Sequence, residues 1–207
     1  MRGLRDHLLL LRDFFRTDFP KLLLWCAVTL AVGALLGCAA AFAAPEESAA
    51  LIDSFVRQIA EEGILDKAGN LSVFGLLLNN WRAMLFSAVY GLAPFLFLPV
   101  FTLLANGILL GVMGGIYWSQ ELSAALFLAA LLPHGIFEIP ALLLSAACGV
   151  CLCRNMCRIV TGSQRRVPMV ELAGDLLRVM LLLVFPLTVA AAVMEAYVTP
   201  LVAGLFQ

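Results

Sequence analysis

The chain has 207 residues, 63% of them hydrophobic and 13% charged, with a formal net charge of −1. Ordinary soluble domains run at about 45–50% apolar and about 25% charged, so a water-soluble globule of this length could not hide its apolar surface. The near-zero charge, with no basic stripe interleaved with aromatics, gives no sign of a nucleic-acid partner. The composition predicts an all-α, polytopic transmembrane helical bundle whose first partner is the lipid bilayer.

Residues 1–21 are read as a cytoplasmic amphipathic segment. Leu4, Leu8, Leu11, Phe15 and Phe19 recur at helical spacing between arginines and aspartates. That pattern fits a helix lying on the inner leaflet or, equally, one packed on the bundle.

A bilayer core of about 30 Å needs roughly 20 apolar residues in a helix. The transmembrane domain is placed at 22–200, with about five spans at 22–44, 82–99, 103–118, 122–153 and 177–200. Within the first span, Ala41-Phe42-Ala43 and Leu35-Leu36-Gly37-Cys38 imitate cleavage sites. The long mixed-charge lead and long apolar run fit an uncleaved anchor better than a signal peptide. Residues 83–120 carry no charge and suit two short spans around a turn. Pro94, Pro99 and Asn106 bracket that turn, since proline removes a donor and disfavours helix just before it.

Residues 122–153 are interrupted only by His134 and Glu138. A straight helix there would run about 48 Å at 1.5 Å per residue, so a break is expected at Pro133, Gly135 and Pro140. The last span holds Pro186 near its middle.

Lysine and arginine bias sets the orientation. Arg2, Arg5, Arg12, Arg16 and Lys21 precede the first span, and Arg154, Arg158, Arg165 and Arg166 fill the basic connection 154–176, with Arg178 just beyond it. Segment 45–81 instead holds Glu46, Glu47, Asp53, Glu61, Glu62 and Asp66 beside Arg57 and Lys67. Both basic segments are therefore expected inside and the acidic segment outside, in a multi-pass cell-membrane protein with its N-terminus cytoplasmic. Five spans leave the C-terminus outside; four or six would move only the tail. In the acidic segment, Leu51, Ile52, Phe55, Val56 and Ile59 share one face. Gly63 and Gly69-Asn70 end that helix, and Leu71–Leu78 forms a further apolar run. The segment is either a docking surface for an outside partner or a lid over the bundle.

Small residues mark the packing seams. Gly107, Gly111 and Gly115 form overlapping GxxxG repeats, and Gly33 and Gly37 repeat the spacing. Ala141, Ser145, Gly149 and Cys153 form a stripe in the fourth span. In lipid, such residues let helices approach, within one subunit or along a homodimer seam.

His134 and Glu138, four apart, face one side of a helix, and Asn106 can hydrogen-bond across helices. Ionisable groups at this depth point to function. Three roles compete: satisfying each other and the broken backbone, forming a proton or solute path, or binding metal. The last lacks ligands: zinc needs three or four, and no His-Glu-x-x-His is present. That leaves an intramembrane metal-dependent hydrolase without support. Cys148, Cys151, Cys153 and Cys157 match no standard metal or cluster spacing and suit small packing residues. No catalytic residues, metal or cofactor are expected.

The string Leu131-Leu132-Pro133-His134-Gly135-Ile136-Phe137-Glu138-Ile139-Pro140-Ala141 resembles the signature of the stage II sporulation protein M family. Asn79-Asn80-Trp81-Arg82 and Asn106-Gly107-x3-Gly111 precede it in the family's order, and the likeness covers roughly residues 70–153. The resemblance implies an integral membrane protein without catalytic activity, with membrane or envelope protein partners. In spore-formers such proteins join a complex with a peptidoglycan-degrading partner during engulfment. The leading expectation is accordingly a non-enzymatic membrane scaffold or complex subunit in envelope remodelling. The alternative is a proton-coupled permease or transporter component using His134 and Glu138.

Overall fold

The computed structural model describes residues 3–61, 71–120 and 123–206. The helices α1 (Leu4–Phe14), α2 (Phe19–Ala43) and α3 (Pro45–Glu61) come first. They are followed by α4 (Val73–Val89), α5 (Leu98–Ser119), α6 (Ala124–Val160) and a composite α7 (Met169–Ala203). Of the described helices, α2, α5, α6 and α7 are long and apolar enough to cross a membrane. Helix α4 has 17 residues, about 25 Å at 1.5 Å per residue, and is not among them. The expected breaks at Gly63 and Gly69-Asn70 lie outside the described residues.

The surface has the pattern expected of a bundle in lipid. Leu24, Leu35, Phe101 and Leu201 are each more than 60% exposed, which water would penalise and hydrocarbon does not. Exposed Trp25 and Tyr90 stand toward one end of the bundle, and Trp118 and Tyr197 toward the other. Trp and Tyr favour the two membrane–water interfaces.

Basic groups gather at the first of those ends. Lys21 donates to Asp18 at 3.0 Å, and Arg154 of α6 approaches the same carboxylate at 3.9 Å. The Lys21 hydrogen bond and charge hold the Asp18 carboxyl below its usual range. Leu11 and Phe14 of α1 are buried in the same core as Leu172 and Leu176, and Arg178 Nε donates to His7 Nδ1 at 3.4 Å. Leu4 and Leu8 of α1 stay exposed.

Close backbone contact joins α2 to α5, which run parallel. Gly33 lies against Gly107, Gly37 against Ile108, Gly111 against Ala34 and Cys38, and Gly115 against Ala41. A β-carbon added at Gly37 or Gly111 would land inside the facing backbone, so only glycine fits. The seam is thus used within one chain. Helices α4 and α6 meet the same way: Ser145 donates to the Met84 carbonyl, and Gly149 packs against Ser87, Gly91 and Pro99.

Two expectations need correction. The second span, placed at 82–99, is instead Val73–Val89 plus a 3-10 turn at Tyr90–Leu92. The helix starts early because the Ser72 hydroxyl caps it, accepting from Gly75 N at 3.2 Å. It ends early because Ala93, the residue before Pro94, is extended, and Phe95 and Phe97 follow with φ of 66° and 46°, the left-handed region that α-helix cannot use. Pro99 then sits in the first turn of α5, where its missing N–H is no loss.

The break at Pro133, Gly135 and Pro140 is absent. Helix α6 runs unbroken for 37 residues with both prolines inside it, about 55 Å at 1.5 Å per residue. Each proline deletes one helical hydrogen bond, freeing the carbonyls of Ala129 and Ile136. Neighbouring helices and small local adjustments make such prolines tolerable at membrane depth. Gly135 is buried and helical, and a β-carbon there would meet only Leu131 and Ile139 of its own helix at ordinary distances. The excess length is absorbed at the basic end. There Asn155 fastens the following loop by accepting from Val167 N at 2.9 Å and donating to Val167 O at 3.0 Å.

Irregularity sits in α7 instead. Two π-helical turns, Met180–Val184 and Met194–Val198, interrupt it. Each precedes a proline by two residues, within an internal repeat: Val179-Met180-x3-Val184-x-Pro186-Leu187 and Val193-Met194-x3-Val198-x-Pro200-Leu201. A proline ring clashes with the carbonyl four residues back, and widening that turn moves the carbonyl aside.

Candidate functional site

In the half of the bundle away from the basic end, the helices leave a cavity of about 360 Å³. Its floor and walls are apolar: Leu30 of α2, Leu76 of α4, Met113 of α5, and Ile139 and Leu142 of α6. Phe55 of α3 and Leu71 border it on the side of the acidic segment.

Polar groups converge on it from four helices. Asn79 and Asn80 come from α4, Asn106 and Tyr117 from α5, His134 and Glu138 from α6, and Glu195 from α7. The uninterrupted α6 explains the first pairing, because residues four apart share a face. His134 Nε2 stands 3.9 Å from Glu138 Oε2, within reach for an ion pair and beyond hydrogen-bond distance. His134 Nδ1 meets Thr199 Oγ1 at 3.2 Å, which ties the ring to α7 across the helix gap. The π turn Met194–Val198 contains Glu195. Asn106 Nδ2 donates back to Thr102 O at 2.8 Å. Asn80 Nδ2 is buried without a hydrogen-bond partner among the described residues.

Of the residues singled out from sequence, His134, Glu138 and Asn106 therefore share one cavity. Gly135 also lines it, whereas Ser145 and Gly149 serve the α4–α6 contact. Sequence reading missed Asn79, Asn80, Tyr117 and Thr199 as members, and left open the depth of Glu195. Their signal was present only as single polar residues in apolar runs, which does not say that they face one point.

The cysteines lie elsewhere. Cys153 Sγ donates to Ala93 O at 3.3 Å, and Cys157 Sγ accepts from Phe95 N at 3.1 Å. They hold the turn between α4 and α5. Among the described residues no group of histidine, cysteine and carboxylate side chains is arranged to hold a metal ion.

The family model for Stage II sporulation protein M matches residues 26–200. The chain belongs to that family. An uncharacterised protein of Methanocaldococcus jannaschii is 32% identical over 134 residues, covering 65% of this chain and 68% of the relative. No solved structure matches. The matched range takes in every wall of the cavity, so the site lies within the family's shared region. The family is not known as an enzymatic one.

Proposed function

We propose that this member of the stage II sporulation protein M family is a proton-coupled permease or transporter component. The observation that carries the reading is the cavity itself, with Glu138, Glu195 and His134 on its wall. A dry, self-satisfied His–Glu pair would need no such space. Intramembrane carboxylates and histidines are the groups that membrane proteins use to take up and release protons. The sequence alone favoured a scaffold, and the cavity shifts the balance toward solute or proton handling. The arginine bias supports an N-terminus in the cytoplasm, which puts the cavity in the outer half.

The test is reconstitution of the purified chain in liposomes loaded with a pH-sensitive dye. An acid pulse outside should acidify the interior faster than in empty vesicles, and Glu138→Gln, still folded, should abolish the difference. Vesicles as proton-tight as empty ones, with and without candidate solutes, would sink the reading.

One observation favours a second reading, a non-enzymatic membrane complex subunit. Arg82 is exposed in the middle of α4, next to Trp81, whose ring meets that of Phe185 edge-on at 5.0 Å. It has no hydrogen-bond or ion-pair partner among the described residues. A cation facing hydrocarbon costs several kcal/mol unless it snorkels or is covered, and an envelope-protein partner would cover it. Affinity purification from the native membrane should then yield a partner that Arg82→Leu loses. An equal yield with both chains would remove this reading.

A further inference from the structure

We propose that the cavity binds a small organic ammonium, a protonated amine on a compact apolar body. The inference deepens the transport reading and rests on the same cavity.

Charge decides the sign of the ligand. Among the described residues two carboxylates, Glu138 and Glu195, reach the cavity, and no lysine or arginine lines it. His134 stands beside Glu138 at 3.9 Å and can neutralise that one charge when protonated. Glu195 has no ion-pair or hydrogen-bond partner among the described residues. An unpaired carboxylate in a low-dielectric site is strongly disfavoured, so the site calls for one added positive charge, which a proton or a bound cation supplies. An anionic ligand would face the same carboxylate with nothing to offset it.

Volume and lining decide the rest. A bare metal ion would leave most of about 360 Å³ unfilled, and among the described residues no three histidine, cysteine or carboxylate side chains are grouped to hold one. Leucine, isoleucine and methionine walls instead suit a carbon body. Phe127 and Tyr117 both line the space, with ring centroids 5.4 Å apart. Aromatic faces attract ammonium groups, and more strongly once these are desolvated. The carboxamides of Asn79, Asn80 and Asn106 offer oxygens to the N–H donors of an ammonium. Asn80 has a buried Nδ2 that lacks a partner among the described residues.

The experiment uses the full chain in lipid nanodiscs at neutral pH, with empty nanodiscs subtracted. Three probes share one body: benzylammonium, benzyl alcohol and benzoate. Benzylammonium should bind at least ten-fold more tightly than benzyl alcohol, and benzoate should not bind. Glu195→Gln should erase the ten-fold preference of benzylammonium over benzyl alcohol. Equal binding of ammonium and alcohol, preference for benzoate, or an undiminished preference in a monodisperse Glu195→Gln protein would each overturn the proposal. The order of preference in the unaltered chain decides the matter even where the variant does not fold. Binding of benzylammonium without flux in proteoliposomes would remove the transport reading and keep the site. Proton or solute flux without ammonium binding would do the reverse.

Discussion

Gly37 of α2 lies so close to the backbone of Ile108 on α5 that no β-carbon fits between them. Overpacking a well-packed core typically costs about 1–3 kcal/mol, and here the obstacle is backbone, which cannot rotate away. Gly37→Ala should therefore lower stability by about 2–3 kcal/mol in detergent, and Gly37→Leu should prevent folding. Gly114, whose added β-carbon would meet only the edge of the Phe127 ring at 3.4 Å, is the control. Gly114→Ala should cost less than about 1 kcal/mol. Thermal unfolding followed by tryptophan fluorescence distinguishes the two positions, and equal losses would refute the close-contact account.

Much of this fold can be read in the residues, and the failures share a cause. Composition and the run 22–44 suffice for α2, and the GxxxG spacing names the glycines of the α2–α5 seam. Pairing those glycines with each other, rather than with a second copy, required knowing that the two spans run parallel. The start of α4 went astray because Asn79, Asn80 and Arg82 look like loop residues in a hydropathy count. In the structure they belong to the helix, and the asparagines face the cavity. The break at Pro133 was inferred from a local rule that tertiary packing overrides. The two proline-linked π turns of α7 went unread because single prolines in an apolar run do not reveal how the turn before them relaxes. For the site, spacing alone joined His134 to Glu138. Nothing local joins them to Glu195 or Asn79, because that convergence is made by helix packing.

Asn155 holds the loop after α6 by two hydrogen bonds to the backbone of Val167. Removing its amide leaves the N–H and the carbonyl of Val167 without these partners, at about 1 kcal/mol for each bond. Asn155→Ala should cost about 2 kcal/mol locally and loosen residues 161–168. Trypsin cleavage at Arg165 and Arg166 should become at least ten-fold faster, while the core melts at nearly the parent temperature. An unchanged cleavage rate would show that the loop is held by something else.

The turn between α4 and α5 carries two phenylalanines in left-handed backbone conformation. For an L-residue this costs roughly 1–2 kcal/mol relative to the right-handed region, a penalty glycine escapes. Phe95 is exposed at 57%, so truncating it loses little packing. Phe95→Gly should therefore raise stability by up to about 1 kcal/mol, despite the extra freedom glycine gives the unfolded chain. Phe97, less exposed at 37%, loses more contact and should gain less. A lowered melting temperature for Phe95→Gly would mean that its ring has a partner outside this chain or in the bilayer interface.

A π turn accommodates one residue more than the α-helix around it, which gives the Met180–Val184 turn a definite consequence for Glu195. Deleting Leu181, half exposed in that turn, should close it into regular α-helix. The residues on either side would keep their facing, and Glu195 would still reach the cavity. Deleting Val189 from the regular segment Phe185–Val193 must instead turn everything after it by about 100°. That swings Glu195 and Thr199 away from His134 and drives buried Ala191 and Ala192 out of register. The Leu181 deletion returns the Pro186 ring to its clash with the carbonyl four residues back, so it should elute as a single species that melts below the parent, and the Val189 deletion should not fold. Similar behaviour of the two would mean that the wide turn is not an inserted residue, and that α7 takes its register from somewhere else.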